Sequence, residues 1–591
     1  MGIDNNENED VQNESLQGGG NIYNWWLYPN ESSQASQLKE AVDSISDIIE
    51  EEGSHNSPVQ EMEEVEDGSQ ALPVQDEVEG SQALPVLDNE EGSVTSPVQE
   101  QEEVVVETQP SNIKVLFAAF EASPFMKTGG LGDVAGALPI YLNDIGVDTR
   151  VIMPLFSSIK EEYRREMRKI AEFYVPFSWR NQYLGVYEYK NVNTIIYFLD
   201  NEYYFKRDKA YGYFDDGERI AFFSKALLET LVHIDFDPDV LHLNDWHTAL
   251  SAVYLREMYQ GLEKFRRIRT VFTVHNLKFQ GKFDPKMLKD PIDLYRYDDA
   301  RRQLLQKDAV NYMMGALNYA DYLTTVSPTY AEEVKNSFFG EGLEEIFNRR
   351  ASIFRGIVNG IDYYVYNPKT DKNIFVNYDI NTLEEKKKNK IGIQRELGLN
   401  EDENVCVIGL ISRLTEQKGM DLLTTIFEEM INTLHVQFVL LGQGDRKYED
   451  AFRYFENKYR GRVSSSICFS EERSRRIYAA SDLFLVPSVF EPCGLSQLIA
   501  MRYLSLPIVR KTGGLKDTVE PYNKFTKEGT GFAFQNINAH DLLFTIKDAV
   551  ALYYDDRETF NTLIRNASEK DYSWASSARE YEKMYRELTG K

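Results

Sequence analysis

Several short stretches of this sequence bring together residue types that can hold an anion and orient polar groups. Lys127-Thr128-Gly129-Gly130-Leu131-Gly132-Asp133 sets a lysine and a carboxylate around a glycine turn, and Ser412-Arg413-Leu414-Thr415-Glu416-Gln417-Lys418-Gly419 sets two cations ahead of a glycine. Arginine can clamp an oxyanion through two donors, whereas lysine serves as a compact point charge. A glycine pair lets the backbone come close to a ligand. Asn244-Asp245-Trp246-His247 and His275-Asn276 add carboxylate, amide and imidazole groups. Glu491-Pro492-Cys493-Gly494-Leu495-Ser496 places a carboxylate before a proline, after which a helix should open with its amides free to face an anion.

These clusters share one position relative to the elements that must carry them. Apolar runs at 115–120, 150–153, 194–199, 240–243, 270–274, 322–326, 405–411, 437–441 and 483–486 are rich in Val, Ile, Leu and Phe without strict alternation. That composition suits parallel strands buried on both faces. Helical patterns, such as 160–169 and 421–433, fall between them. The alternation predicts α/β architecture. Each chemical cluster follows directly on a strand, where open α/β sheets bind their ligands. Lys127-Thr-Gly-Gly-Leu-Gly-Asp133 also has a near echo in Lys511-Thr-Gly-Gly-Leu-Lys-Asp517, each ahead of a predicted helix. The repetition implies two Rossmann-like halves with parallel sheets facing across a cleft.

The motifs Lys-Thr-Gly-Gly-Leu-Gly-Asp-Val, Asn-Asp-Trp-His, Phe-Thr-Val-His-Asn, Thr-Val-Ser-Pro-Thr-Tyr, Val-Asn-Gly-Ile-Asp, Ser-Arg-Leu-Thr-Glu-Gln-Lys-Gly, Phe-Glu-Pro-Cys-Gly-Leu and Arg-Lys-Thr-Gly-Gly-Leu-Lys-Asp-Thr-Val stand in this order. Together they resemble bacterial glycogen synthases and plant starch synthases, over about Lys114 to Tyr585. The resemblance, which leaves the acidic leader at 1–111 outside it, implies a GT-B fold with a Rossmann-like acceptor-side domain at 112–357. A nucleotide-sugar-binding domain follows at 358–575, and a helix at 576–591 returns to the first domain. It also implies transfer of glucose from ADP-glucose to the nonreducing end of an α-1,4-glucan, with retention of configuration.

That chemistry needs a departing nucleoside diphosphate to be stabilised, for which Arg413 and Lys418 resemble the family's clamp on the distal phosphate. Lys127, with Gly129, Gly130 and Asp133, resembles the nucleotide-glucose-binding loop, and the amides of Gly494, Leu495 and Ser496 complete the anion site beside Cys493. Such a clamp reduces the need for a metal, and no D-x-D pair stands at a plausible strand end. No cofactor is expected. The glucose must also be oriented. Glu491 is the candidate for its 3- and 4-hydroxyls, and Asp245 and His275 for the region of its 6-hydroxyl and the acceptor. Phe469 stands where an aromatic stacks on the base, although by itself it reads as core. Many retaining GT-B enzymes carry a second glutamate eight residues after the first, but Ile499 occupies that place, a departure shared with starch and glycogen synthases. Water must be excluded by closure of the halves, with the crossover near Asn359-Gly360-Ile361-Asp362. By itself each site residue has a plainer reading. His242 and His247 fit as packed histidines, Cys493 as a loop-shaping residue and Asp133 as a helix N-terminal charge.

Composition narrows the remaining choices. Up to Pro110 the 591-residue chain carries 27 acidic residues and one basic, Lys39, while the rest holds 68 acidic and 64 basic. An acidic protein is a poor match for nucleic acid or anionic lipid. No apolar run is long enough to span a membrane. Three cysteines make no disulfide framework or C-x-x-C pair, which points to a reducing compartment, the cytoplasm. In the leader, Gly-Ser units recur at residues 53, 68, 80 and 92, each with Pro-Val and acidic residues. Repeated proline and carboxylate repulsion predict an extended, disordered segment. Tyr23, Trp25, Trp26 and Tyr28 form an aromatic cluster suited to a protein partner or a sugar, and residues 36–51 have a short amphipathic pattern. The competing readings are a UDP-glucose-dependent GT-B glucosyltransferase and a noncatalytic glucan-binding scaffold.

Overall fold

The computed structural model describes residues 112–191 and 193–591; the leader, with its repeats, its aromatic cluster and the helix expected at 36–51, lies outside the described residues. The first lobe is built on a nine-stranded sheet. In chain order its strands are β1 (Lys114–Ala118), β2 (Asp148–Pro154), β3 (Arg168–Phe177), β4 (Arg180–Asn191), β5 (Thr194–Asp200), β6 (Val240–Asn244) and β7 (Arg269–Val274). After β8 (Lys282–Phe283), β9 (Leu305–Gln306) and β10 (Ala309–Asn311), which form a small sheet of their own, β11 (Tyr322–Thr325) and β12 (Phe354–Gly356) complete it. The spatial order is β12-β11-β7-β6-β1-β2-β5-β4-β3. From β1 the chain winds outward through β2 and β5, then returns to the other side of β1 with β6. The loops after β1 and β6 thus flank a point where the winding direction reverses, where such sheets open a crevice.

The second lobe repeats this plan in β13 (Cys406–Ile411), β14 (Val436–Leu441), β15 (Val463–Ser466), β16 (Leu483–Val486), β17 (Leu506–Arg510) and β18 (Phe532–Phe534). Their order is β15-β14-β13-β16-β17-β18, all parallel. This is the doubly wound dinucleotide-binding order, with its reversal between β13 and β16. Strands such as β6 and β14 are buried at every residue, as continuous apolar runs require.

The helices that matter for the site are α1 (Gly130–Asp144), α2 (Pro328–Glu333), α3 (Lys386–Glu396), α4 (Met420–Thr433), α5 (Glu471–Ala480), α6 (Ser496–Arg502), α7 (Gly513–Thr518) and α8 (Trp574–Thr589). One hydrophobic core runs from Ile113 to Ile357 and takes in Trp574, Ala578, Tyr581, Met584 and Tyr585 of α8. A second runs from Ile361 to Ala567, and a smaller third, with Ile393, Val407, Val439 and Ile477, belongs to the same lobe. The chain crosses between lobes twice, side by side: Ile361 N–H donates to Tyr572 O (2.9 Å) and Trp574 N–H to Ile361 O (3.3 Å).

Two expectations change. The helical pattern at 160–169 yields only a four-residue helix, Glu161–Arg164, before β3 begins. The first sheet is also not wholly parallel, because β3 and β4 pair antiparallel with each other and β4 with β5. This edge hairpin has one face exposed, so its residues alternate instead of forming an apolar run.

Candidate functional site

Lys127 and Asp133 lie on the turn after β1 and the first turn of α1, and their side chains pair at 2.6 Å. Burial works against the Lys127 ammonium, but Asp133, with Tyr366 and Glu471 adding to it, holds the group above its ordinary value. Gly129 and Gly130 are exposed, and a Cβ on either would meet nothing within 4 Å, so open space borders this turn. The loop is held from below by Glu121, which is 2% exposed. Its carboxylate accepts the N–H and hydroxyl of Thr128 (2.5 and 2.7 Å) and the hydroxyl of Tyr211 (3.2 Å). Glu121 and Tyr211 stand 90 positions apart, and no motif spacing links them.

After β6, Asp245 takes up a left-handed conformation (φ 55°), which Asp tolerates better than most residues. Its N–H bonds Thr273 O (2.9 Å) and its Oδ1 accepts the N–H of His275 (2.8 Å), so the ends of β6 and β7 are tied together. Burial pushes the Asp245 carboxyl up to about 7, against the two backbone donors from His275 and Asn276. His275 is pushed down to about 3 by burial and is therefore neutral. Its tautomer follows from its neighbour. Asn244 Nδ2 donates to Ala118 O (3.0 Å), so the Asn244 Oδ1 that lies 2.9 Å from His275 Nε2 must accept. Nε2 carries the proton and Nδ1 keeps its lone pair.

The histidines beside this pair have different settings. His242 is fully buried and bonded at both nitrogens, to Tyr585 Oη and Thr273 Oγ1 (2.6 Å each). His247 is stacked between Phe120 (5.3 Å) and Tyr211 (4.9 Å), yet both its nitrogens lack a partner among the described residues.

In the second lobe, Lys418 Nζ meets Glu491 Oε2 at 2.5 Å, joining the loops after β13 and β16 across the reversal point. Ser488 Oγ donates to the same oxygen (2.9 Å), which leaves Oε1 to accept a further donor. Gly419, at φ 75°, makes this approach possible: a Cβ there would meet Pro487 O at 2.0 Å. Buried Arg510 donates to Ser488 O (3.2 Å) and to Val489 O, bracing the segment that leads to Glu491. Arg413 is exposed, and its side chain makes no hydrogen bond or ion pair among the described residues. Gly494 adopts φ 76°, Leu495 caps α6 and Ser496 begins it. Cys493 is buried, and burial pushes its thiol up to about 12, so it packs as a neutral group. Phe469 is 84% exposed just before α5, which excludes its reading as a core residue. On the same side, the charge of Glu471 in α5 acts on Lys127 and Asp133. Tyr211 lies in no motif, and although Glu121, Ser488 and Arg510 fall in or beside the loops after strands, their roles were not legible there; each acts through a neighbour brought up by the fold.

Two doubly wound lobes, each with cations, carboxylates and glycine turns at its strand reversal, define a glycosyltransferase of the two-lobed α/β class. Residues 114–349 match the family model for the starch synthase catalytic domain, and residues 390–570 match that for glycosyl transferases group 1. The chain is 48% identical over 483 residues to a glycogen synthase of Clostridium novyi, covering 81% of this chain and 100% of that one. It is likewise 48% identical to a glycogen synthase of Caldicellulosiruptor bescii, over 80% and 99% of the two chains. The chain belongs to the glycogen synthase and starch synthase family. Among solved structures, the catalytic domain of starch synthase IV from Arabidopsis thaliana, bound to ADP and acarbose, superposes with a TM-score of 0.75 at 33% identity, covering 81% of this chain and 99% of that one. Sucrose-phosphate synthase from Thermosynechococcus elongatus shares the fold at a TM-score of 0.52 and 16% identity.

Proposed function

We propose that this protein is a glucan synthase that transfers glucose from ADP-glucose to the nonreducing end of an α-1,4-glucan with retention of configuration. The observation that carries the reading is the Lys418–Glu491 pair at the reversal point of the second lobe, with exposed Arg413 on the same loop after β13 as Lys418. The likeness to a starch synthase bound to ADP supports the donor. As the bond from the anomeric carbon to the distal phosphate breaks, negative charge grows on that phosphate. Arg413 and Lys418 neutralise it, so the reaction calls for no metal. Lys127 holds the donor from the first lobe, in the open space beside Gly129 and Gly130. Phe469 offers an exposed ring for the base.

Glu491 Oε1 accepts glucose hydroxyls while its other oxygen stays with Lys418 and Ser488, which makes it an orienting group. His275, neutral and with Nδ1 unprotonated, accepts a hydroxyl proton of the sugar near its 6-position. The acceptor attacks from the face the phosphate leaves, and the departing phosphate takes its proton. No separate nucleophile is needed. Closure of the lobes keeps water from competing with the glucan. The reading places the protein in the cytoplasm; among the described residues no helix is long and apolar enough to cross a membrane.

The test is incorporation of labelled glucose into glycogen from ADP-glucose beside UDP-glucose. Incorporation from ADP-glucose that is lost in Lys127→Ala supports the proposal. Preference for UDP-glucose would overturn the donor, and transfer from neither would favour a glucan-binding scaffold.

A further inference from the structure

Two short helices, one from each lobe, hold each other through their carboxylates. Asp517, late in α7, accepts the N–H and the hydroxyl of Thr329 at the start of α2 (2.8 and 2.6 Å). Glu333, at the end of α2, accepts the hydroxyl of Thr512 and the N–H of Gly513 at the start of α7 (2.9 and 3.1 Å). Each helix thus carries the group that secures the opening turn of the other. Ser327 Oγ adds a bond to Pro492 O (2.6 Å).

This exchange is coupled to both halves of the site. On the second-lobe side, Gly513 and Gly514 lie against the backbone of the loop that bears Glu491. Gly514 N–H bonds the carbonyls of Glu491 and Pro492 (3.1 Å each), and a Cβ on Gly513 would meet Glu491 O at 2.0 Å. On the first-lobe side, α2 carries Tyr330, whose hydroxyl accepts the N–H of Leu277 (3.2 Å), two residues beyond His275. A path of hydrogen bonds and close contact therefore runs through the paired helices from the Glu491 backbone to Leu277, two residues beyond His275.

We infer that Thr329, Glu333 and Asp517 are positioning residues that set the sugar-holding Glu491 against Asp245 and His275 of the opposite lobe. The side chains of all three are engaged with protein partners, and the proposed transfer assigns none of them a substrate contact. The inference rests on the transfer reading for its kinetic consequence, but its geometric content stands apart from it. A misplacement of about 1 Å can cost up to about a hundredfold in rate. Loss of one of these holds should therefore lower turnover more than it weakens donor binding, since Arg413, Lys418 and Lys127 are untouched.

The experiment uses the full chain and the variants Thr329→Val, Asp517→Asn, Glu333→Gln and Thr329→Ser, each checked for a parental thermal transition. With ADP-glucose and glycogen, the first three should lose about tenfold or more in kcat with KM for the donor within about threefold. They should also release more glucose to water per glucose transferred, while Thr329→Ser keeps parental values. The double variant Thr329→Val with Asp517→Asn should be no worse than the poorer single one. Spin labels at Arg165→Cys and Arg446→Cys, in a Cys468→Ser background, report the separation of the lobes without any donor. That distribution should be narrow in the parent and in Thr329→Ser, and broadened in the other three. Parental kcat and water release in the folded variants, or an unbroadened distribution, would overturn the inference. A parent that transfers glucose from no donor would sink the transfer reading alone, because the label distances still decide the hold.

Discussion

Asp245 carries the clearest consequence at the scale of a single residue. Burial holds its carboxyl at about 7, above its ordinary 3.8, so the folded chain binds that proton more tightly than the unfolded chain does. Its contribution to stability is therefore present at low pH and is lost as pH rises between about 4 and 7. The ionised carboxylate, which is better able to accept sugar hydroxyls, accumulates above about pH 7. Turnover should rise through that pH, and Asp245→Asn should lower kcat and remove the inflection, as a pH–rate profile would read. An inflection near 7 that survives in Asp245→Asn would assign it to another group. His275, at about 3, stays neutral throughout this range and supplies no competing step. The residue types themselves were legible in the sequence, since Lys418, Glu491, Asp245 and His275 all fall in motifs directly after strands. Their protonation was not. It depends on burial and on partners such as Asn244, whose amide orientation is settled by Ala118 on a neighbouring strand.

At the scale of elements, the loop after β13 depends on one left-handed glycine. Gly419→Ala would place a Cβ against Pro487 O, and the αL conformation alone disfavours a side chain by roughly 1–2 kcal/mol. The variant should lose about 2 kcal/mol or more of stability in a denaturant titration, and lose turnover as Lys418 leaves Glu491. A second element-scale group is Lys386, buried in the first turn of α3. It donates to Ala479 O (2.9 Å) and Tyr503 O (2.8 Å), where α5 and α6 end. Burial pushes its ammonium down to about 7, whereas an unfolded lysine keeps its proton to about 10.4. Between those values the unfolded chain binds more protons, so this group's contribution to stability rises with pH. The gap in Tm between the parent and Lys386→Met should widen from pH 7 to pH 10; a constant gap would contradict the assignment. The buried parallel strands were readable because both faces are covered and the apolar runs are unbroken. The β3–β4 hairpin was not, because Glu172 and Tyr174 on its exposed face interrupt the pattern. The stretch at 160–169 has helical residues, yet sheet pairing claims its end, with Arg168 opposite Glu188 and Lys169 opposite Tyr187.

At the scale of the molecule, the matched segment accounts for the whole length of the Clostridium novyi relative, and it leaves the acidic leader outside. Removal of residues 1–111 should therefore keep kcat within about twofold, since every group that surrounds the proposed reaction lies beyond residue 112. A large loss on glycogen, with turnover on short oligosaccharides unchanged, would instead give the leader a part in holding the polymer. The two lobes differ in how local their cores are. The second is closed by residues between Ile361 and Ala567, whereas the first waits for Trp574, Tyr581 and Tyr585, more than 200 positions beyond Ile357. A ribosome making this chain therefore emits the first lobe's sheet long before the helix that covers it. During that interval His242 lacks Tyr585, and the apolar bed of α8 faces water or a chaperone. The lobe that begins first is completed last, and a message cut short before codon 574 would yield a finished second lobe joined to a first lobe that cannot close.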